Sequence, residues 1–199
     1  MIGREAITGL ILAGGLGRRM SADGQGVDKG LQPFRGRPMV AHAIDRLGPQ
    51  VGHLLINANR NLEQYRAFGH PVVSDSIAGF AGPLAGLHSG LRACGTPYLV
   101  TAPCDSPFLP SDLVVRLAAA LLREGAQIAV ARTAGQPHPV FMLAEHAVLP
   151  ALEAFLAGGG RKIDAWYAAL RTVEVDFDDD SAFLNINTRA ELDRFERNP

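Results

Sequence analysis

The run Ile7-Thr8-Gly9-Leu10-Ile11-Leu12 passes directly into Ala13-Gly14-Gly15-Leu16-Gly17-Arg18-Arg19-Met20, and Asp28-Lys29-Gly30 follows after a polar stretch. The apolar run reads as a buried strand, and the glycine-rich basic segment as a loop at its C-terminal end. Glycines let a backbone approach an anionic ligand and turn several N–H groups toward it, while Arg and Lys supply charge where phosphate oxygens crowd. Polyphosphate binding is the expected consequence. Two general phosphate motifs fail: G-x-G-x-x-G started at Gly15 meets Met20 at its last position, and the P-loop G-x-x-x-x-G-K-[ST] is excluded because Asp28 precedes Lys29 and Gly30 follows it.

Outward from this loop, short apolar runs alternate with longer amphipathic stretches, the pattern of βα units around a mainly parallel sheet. Strands are expected at residues 7–12, 53–57, 71–73, 98–102, 128–131, 140–143 and 173–175. Helices are expected at 38–47, 62–68, 84–94, 110–123, 147–156, 163–170 and 189–195, several introduced by Pro or by a capping residue such as Ser111 or Thr188. No repeat or long linker interrupts the 199 residues, which predicts one α/β domain in three layers of Rossmann-like type. The Gly158–Gly160 triplet and the acidic run from Asp176 to Asp180 read as surface turns.

Nineteen Lys and Arg stand against 20 Asp and Glu, a formal charge of -1, so no field favours nucleic acid or an acidic membrane, and phosphate binding must be local. The two cysteines, Cys94 and Cys104, have neither metal-ligand nor disulfide spacing, and no apolar run approaches a membrane span. A cytoplasmic location is expected. Cys104 reads as packing rather than as a nucleophile.

Three further strand ends carry polar groups. Tyr98-Leu99-Val100-Thr101-Ala102 runs into Pro103-Cys104-Asp105-Ser106-Pro107, delivering Asp105 to the side of the sheet where open α/β folds bind ligands. A carboxylate there can hold Mg2+, which prefers oxygen ligands and bridges protein to substrate phosphates. The stretch from His53 to Arg60 ends in a polar cluster containing Asn57, and Val73-Ser74-Asp75-Ser76 does the same. Gly82-Pro83-Leu84-Ala85-Gly86 offers a loop leading into a helix.

The run Leu-Ala-Gly-Gly-x-Gly-x-Arg-Met followed by Asp-Lys-Gly resembles the signature of nucleotidyltransferases that activate phosphorylated acceptors, and is most similar to the molybdenum cofactor guanylyltransferase (MobA) family. The resemblance covers nearly the whole chain and is strongest through Asp105. It implies a nucleotidyltransferase fold with a nucleotide-binding half at about residues 1–110 and an acceptor-binding half at about 111–199. Leu12, Ala13, Gly14 and Gly15 would hold the guanine and phosphates, Arg19 and Lys29 would face the triphosphate as catalytic groups, and Asp105 would be both catalytic and the Mg2+ ligand. Asn57, Asp75 and Gly82 would be further nucleotide contacts. A carboxylate or amide can read the guanine edge, but the residues do not say whether Asn57 or Asp75 does so. The segment from Ser21 to Val27 is longer than the compact link of the family.

On the acceptor side, Gln136-Pro137-His138-Pro139-Val140-Phe141 and Phe183-Leu184-Asn185-Ile186-Asn187-Thr188 resemble two more family segments, with Asn185 and Asn187 as acceptor contacts. Asn187-Thr188 is equally a helix start, His138 reads as structural, and Arg161 with Lys162 could attract an anion. The implied reaction transfers GMP from GTP to molybdenum-bound molybdopterin, with pyrophosphate released and transient contact with proteins that supply or receive the cofactor. The alternatives are a related transferase using CTP or a sugar or alcohol phosphate, and a nucleotide-binding regulatory module without turnover.

Overall fold

The computed structural model describes residues 1–15, 17, 20, 26–77 and 82–197. Nine strands are present among them: β1 (Ile7–Leu12), β2 (Pro33–Phe34), β3 (Arg37–Pro38), β4 (His53–Asn57), β5 (Val72–Val73), β6 (Tyr98–Pro103), β7 (Ile128–Thr133), β8 (Gln136–Glu145) and β9 (Thr172–Asp176). The helices are α1 (Met39–Leu47), α2 (Leu62–Arg66), α3 (Pro83–Ala93), α4 (Leu113–Glu124), α5 (Leu149–Ala157), α6 (Ile163–Tyr167) and α7 (Arg189–Arg197). Seven strands form one sheet in the order β5-β4-β1-β6-β8-β7-β9, with β8 alone antiparallel to its neighbours, and β2 and β3 form a separate hairpin.

Period-two alternation along the strands builds the layers. Ile7, Ile11, Leu54, Ile56, Val100 and Ala102 face one way and pack with Val40, Ala43 and Leu47 of α1 and Leu113, Leu117 and Leu121 of α4. Leu10, Leu55, Leu99, Val130 and Met142 face the other way, against α3, α5 and α6 through Leu84, Leu87, Leu91, Leu152 and Trp166. Both faces of the sheet are thus covered, which is why the central strands β1, β4 and β6 are largely apolar. The result is a single three-layer α/β domain with a mostly parallel sheet.

Several local expectations need correction. The 33–38 hairpin is absent from the sequence reading; each arm has only two residues, and its turn rests on Arg35 and Gly36, with φ of 48° and 75°. Strand β8 extends well beyond 140–143, taking in Pro137, His138 and Pro139. Prolines are tolerated there because β6 pairs only with residues 143–145 of β8, so the first half of the strand has a ladder on its β7 side alone. Helix α4 starts at Leu113 after Asp112, without a side-chain cap from Ser111. The acidic run is not all turn: Asp176 ends β9 and holds Arg132 through two bonds of 2.6 Å, Phe177 is buried, and Asp179 accepts from the Ser181 N–H.

A third cluster secures the C-terminus. Phe34, Met39, Ile186 and Leu192 are buried together, with Phe108 and Phe195 against them. Helix α7 opens with a reciprocal cap: Glu191 N–H donates to Thr188 Oγ1 at 3.2 Å, while the N–H groups of Asn187 and Thr188 donate to Glu191 Oε2 at 2.8 and 2.9 Å. Burial would raise the Glu191 carboxyl, but these bonds outweigh it and hold the group below the ordinary value of 4.5. The contribution is complete above the ordinary value and lost as the pH falls through the folded one, which lies below it. Glu191→Ala should therefore cost about 1 kcal/mol at neutral pH. In denaturant titrations the gap from the unsubstituted protein should narrow as the pH falls below the ordinary carboxyl range; a gap independent of pH would refute this.

Candidate active site

Strand register sets out the site. Val73, Asn57, Leu12 and Pro103 stand abreast on the four neighbouring strands β5, β4, β1 and β6. Two residues beyond that line, at the carboxyl end of each strand, come Asp75, Asn59, Gly14 and Asp105. The ladder continues a step past the strands, with Ala13 N–H donating to Asn57 O at 2.8 Å, Ala58 N–H to Val73 O at 3.0 Å and Cys104 N–H to Leu12 O at 3.0 Å. A cleft of about 440 Å³ crosses this edge. Leu12, Ala13, Gly14, Gly15, Lys29, Asn57, Asp75, Gly82 and Asp105 all line it, so these described candidates for nucleotide contact border one cavity. Arg19 lies outside the described residues, as do residues 79–81 that precede Gly82.

One end of the cleft is charged. Lys29 Nζ donates to Asp105 Oδ2 at 2.9 Å and to Asn187 Oδ1 at 2.7 Å. Both members of the ion pair are largely shielded, with side-chain exposures of 15% and 11%. Asn187 therefore belongs with the loop lysine, while Asn185 accepts from the Ser106 hydroxyl, and Ile186 N–H between them donates to Asp105 O at 2.8 Å. Residues 184–187 belong to no helix or strand.

Lys29 is placed by its neighbours. Asp28 accepts from the hydroxyl of Tyr65 and, at 3.0 Å, from Asn61 Nδ2. Tyr65 is fully buried, and burial, with the Cys104 thiol and the Asp28 carboxylate adding to it, pushes its hydroxyl far up, so it stays a neutral donor. Gly30 packs where a Cβ would stand 2.5 Å from the Tyr65 oxygen and 3.2 Å from Cys104 Sγ. In Asp28-Lys29-Gly30 the first residue anchors, the second reaches into the cleft and the third leaves room. Burial foremost, then Asp105 and Asp28, raises the Cys104 thiol, which keeps it protonated and unreactive.

The other end is an amide and carboxylate cluster. Asn57 Nδ2 donates to Asp75 Oδ1 at 2.8 Å, and Asn59 Nδ2 to Asp75 Oδ2 at 2.8 Å. Asn59, Tyr65, Asn61 and Ser106 carry no sequence signal for these roles, because each depends on which strand or helix lies beside it.

Residues 9–173 match the family model described as the MobA-like NTP transferase domain. The chain belongs to that family. It is 57% identical over 197 residues to the molybdenum cofactor guanylyltransferase of Cupriavidus taiwanensis, covering 96% of this chain and 97% of that protein. The Bordetella petrii molybdenum cofactor guanylyltransferase is likewise 57% identical, over 96% and 98% of the two chains. Among solved structures, the molybdopterin-guanine dinucleotide biosynthesis protein A of Archaeoglobus fulgidus superposes with a TM-score of 0.76 at 24% identity, over 96% and 97% of the two chains, and shares the fold. As a member of this family the chain is a nucleotidyltransferase.

His138 and Arg161 are both used internally in this MobA-like chain. His138 Nε2 lies 2.7 Å from Thr133 Oγ1, and its ring stacks on Phe183 at 4.9 Å; burial lowers its pKa against the pull of Asp180. Arg161 donates to the carbonyls of Leu156 and Gly160, closing the end of α5. Among the described residues no group of three His, Cys, Asp or Glu side chains is arranged to hold a metal, and no helix is long and apolar enough to cross a membrane.

Asp28→Ala should strand the buried Tyr65 hydroxyl and cost about 1–3 kcal/mol in urea unfolding, the penalty of an unsatisfied buried donor. Asp28→Asn, which keeps an acceptor, should recover most of it. Equal stability of Asp28→Ala and the parent would show that the Tyr65 bond contributes nothing.

Proposed function

We propose that the chain transfers GMP from GTP to molybdenum-bound molybdopterin, releasing pyrophosphate and leaving the guanine dinucleotide form of the cofactor. The relatives' names support the reaction, and one observation carries the assignment to this cleft: Lys29, at the far end of the glycine-rich loop, meets Asp105 of a separate strand end at 2.9 Å. The triphosphate lies at that charged end, with the base toward Asn57 and Asp75. From β6 to β5 is three strand spacings, about 14 Å, a span suited to a nucleoside triphosphate laid across the strand ends.

The terminal phosphate of the acceptor attacks the α-phosphorus of GTP in line; the new P–O bond forms as the bond to the β-phosphate oxygen breaks. The attacking phosphate is already ionised at neutral pH, so alignment of two anions and neutralisation of charge are what the protein must supply. Lys29 and Arg19 serve as the cationic groups on the triphosphate, and the backbone of residues 12–15 lies along the nucleotide. Asp105 would hold Mg2+. A lone carboxylate suits that ion, which keeps several waters and takes further oxygens from substrate phosphates; when bound it offsets charge on the phosphate oxygens. The acceptor approaches from the half of the chain after residue 110, near Asn185 and Asn187. Action in the cytoplasm and transient contact with proteins that deliver or receive the cofactor complete the reading.

Incubation with GTP, Mg2+ and molybdenum-molybdopterin should yield pyrophosphate and the guanine dinucleotide, with CTP, ATP and UTP much poorer. Tight GTP binding without pyrophosphate release would favour a regulatory module instead. Lys29→Ala should lower turnover by about 10²–10³-fold and, by leaving Asp105 with one partner fewer, also destabilise the fold by up to about 3 kcal/mol. The Lys29→Ala, Asp105→Ala double variant should recover stability without activity, since removing both charges removes the unpaired one. Wild-type turnover in Lys29→Ala would reject the assignment.

A further inference from the structure

Asn59 grips Asp75 at two points. Its Nδ2 donates to Asp75 Oδ2 at 2.8 Å and its Oδ1 accepts the Asp75 backbone N–H at 2.9 Å. A primary amide has the donor and acceptor of a peptide group, and here it takes over where the β4–β5 ladder stops. The last backbone bond of that ladder runs from Ala58 N–H to Val73 O, and the Ser74 hydroxyl then bonds to Ala58 O at 2.8 Å. Asn59 is exposed and adds nothing to the core, so its side chain acts on Asp75 alone among the described contacts.

The consequence falls on the carboxylate. With Asn57 on Oδ1 and Asn59 on Oδ2, the plane of the group is fixed by one amide on each oxygen. Each oxygen retains a second acceptor position among the described contacts. A carboxylate locked in this way is set to receive two adjacent N–H donors at once, and among the common bases only guanine offers a ring N–H beside an exocyclic amine. The glycine loop passes over the same amides: a Cβ on Gly14 would stand 2.9 Å from Asn59 Nδ2 and 3.3 Å from Asn57 Oδ1.

We propose that Asn59 is a positioning residue for base selection, orienting Asp75 for two-point recognition of the guanine edge. The inference rests on the reading of the cleft as a GTP site. It is tested by calorimetric titration of the full-length chain with GTP and with inosine triphosphate, which lacks the exocyclic amine, both with Mg2+. The unsubstituted protein should bind GTP more tightly. Asn59→Ala should lose about tenfold in GTP affinity, the worth of a charge-assisted bond, and less for inosine triphosphate, so that the ratio falls toward that of Asp75→Ala. Asn59→Asp, which sets a second carboxylate against the first, should fall further. Thermal unfolding of Asn59→Ala should match the parent, separating orientation from folding. A preserved ratio in Asn59→Ala beside a collapsed one in Asp75→Ala overturns the role of Asn59 and leaves the GTP site standing. A preserved ratio in Asp75→Ala overturns the inference through its carboxylate, and failure of the unsubstituted protein to bind GTP removes the underlying reading as well.

Discussion

The contact of Lys29 with Asp105 and Asn187 is the constraint on which the site depends. It joins positions 76 and 158 residues apart in the chain, so it exists only when the first strand, the central strand and the C-terminal segment are all in place. Shielded ion pairs of this kind are poor sources of stability, because desolvating both charges offsets most of their attraction. Its presence is better explained by placement. It brings a cation and a carboxylate together at one end of the cleft across the strand ends.

The rest of the structure reads as support for that placement. Parallel pairing of β1 with β6 puts Leu12 opposite Pro103, so the glycine loop and Asp105 leave the sheet side by side. Asp28, tied to buried Tyr65, fixes the backbone one residue before Lys29. The cluster of Phe34, Met39, Ile186 and Leu192 presses the C-terminal segment against the loop after β6, and the reciprocal cap of Thr188 and Glu191 fixes where that segment becomes helix. None of these supports touches the far end of the cleft, where Asn57 and Asn59 hold Asp75 by a separate set of bonds.

This separation explains what was legible in the sequence. Strands such as Ile7–Leu12 and His53–Asn57 announce themselves because both faces are buried and the apolar run is bounded by glycine or polar residues. The strand-end polar residues are likewise visible, since register carries Asp75, Gly14 and Asp105 to one edge once a parallel sheet is assumed. The hairpin at 33–38 is too short to leave a pattern, and the prolines of β8 argue against a strand until the partnerless stretch on its β6 side is known. Asn59 and Tyr65 are ordinary residues in the sequence. Their roles come from the strand and loop placed against them, which no local pattern encodes.

The contact between Gly17 and Val27 separates what holds Lys29 from the number of residues that precede it. Val27 N–H donates to Gly17 O at 3.4 Å, so the chain returns to its starting point before Asp28 begins. Lengthening a loop whose ends are pinned adds only about 0.6 kcal/mol per doubling. The position of Lys29 is therefore set by Asp28, Tyr65 and the Gly17–Val27 contact, independently of how many residues lie between Gly17 and Val27. Position in the cleft is fixed by anchors on the sheet side, and it does not depend on the number of residues that precede them.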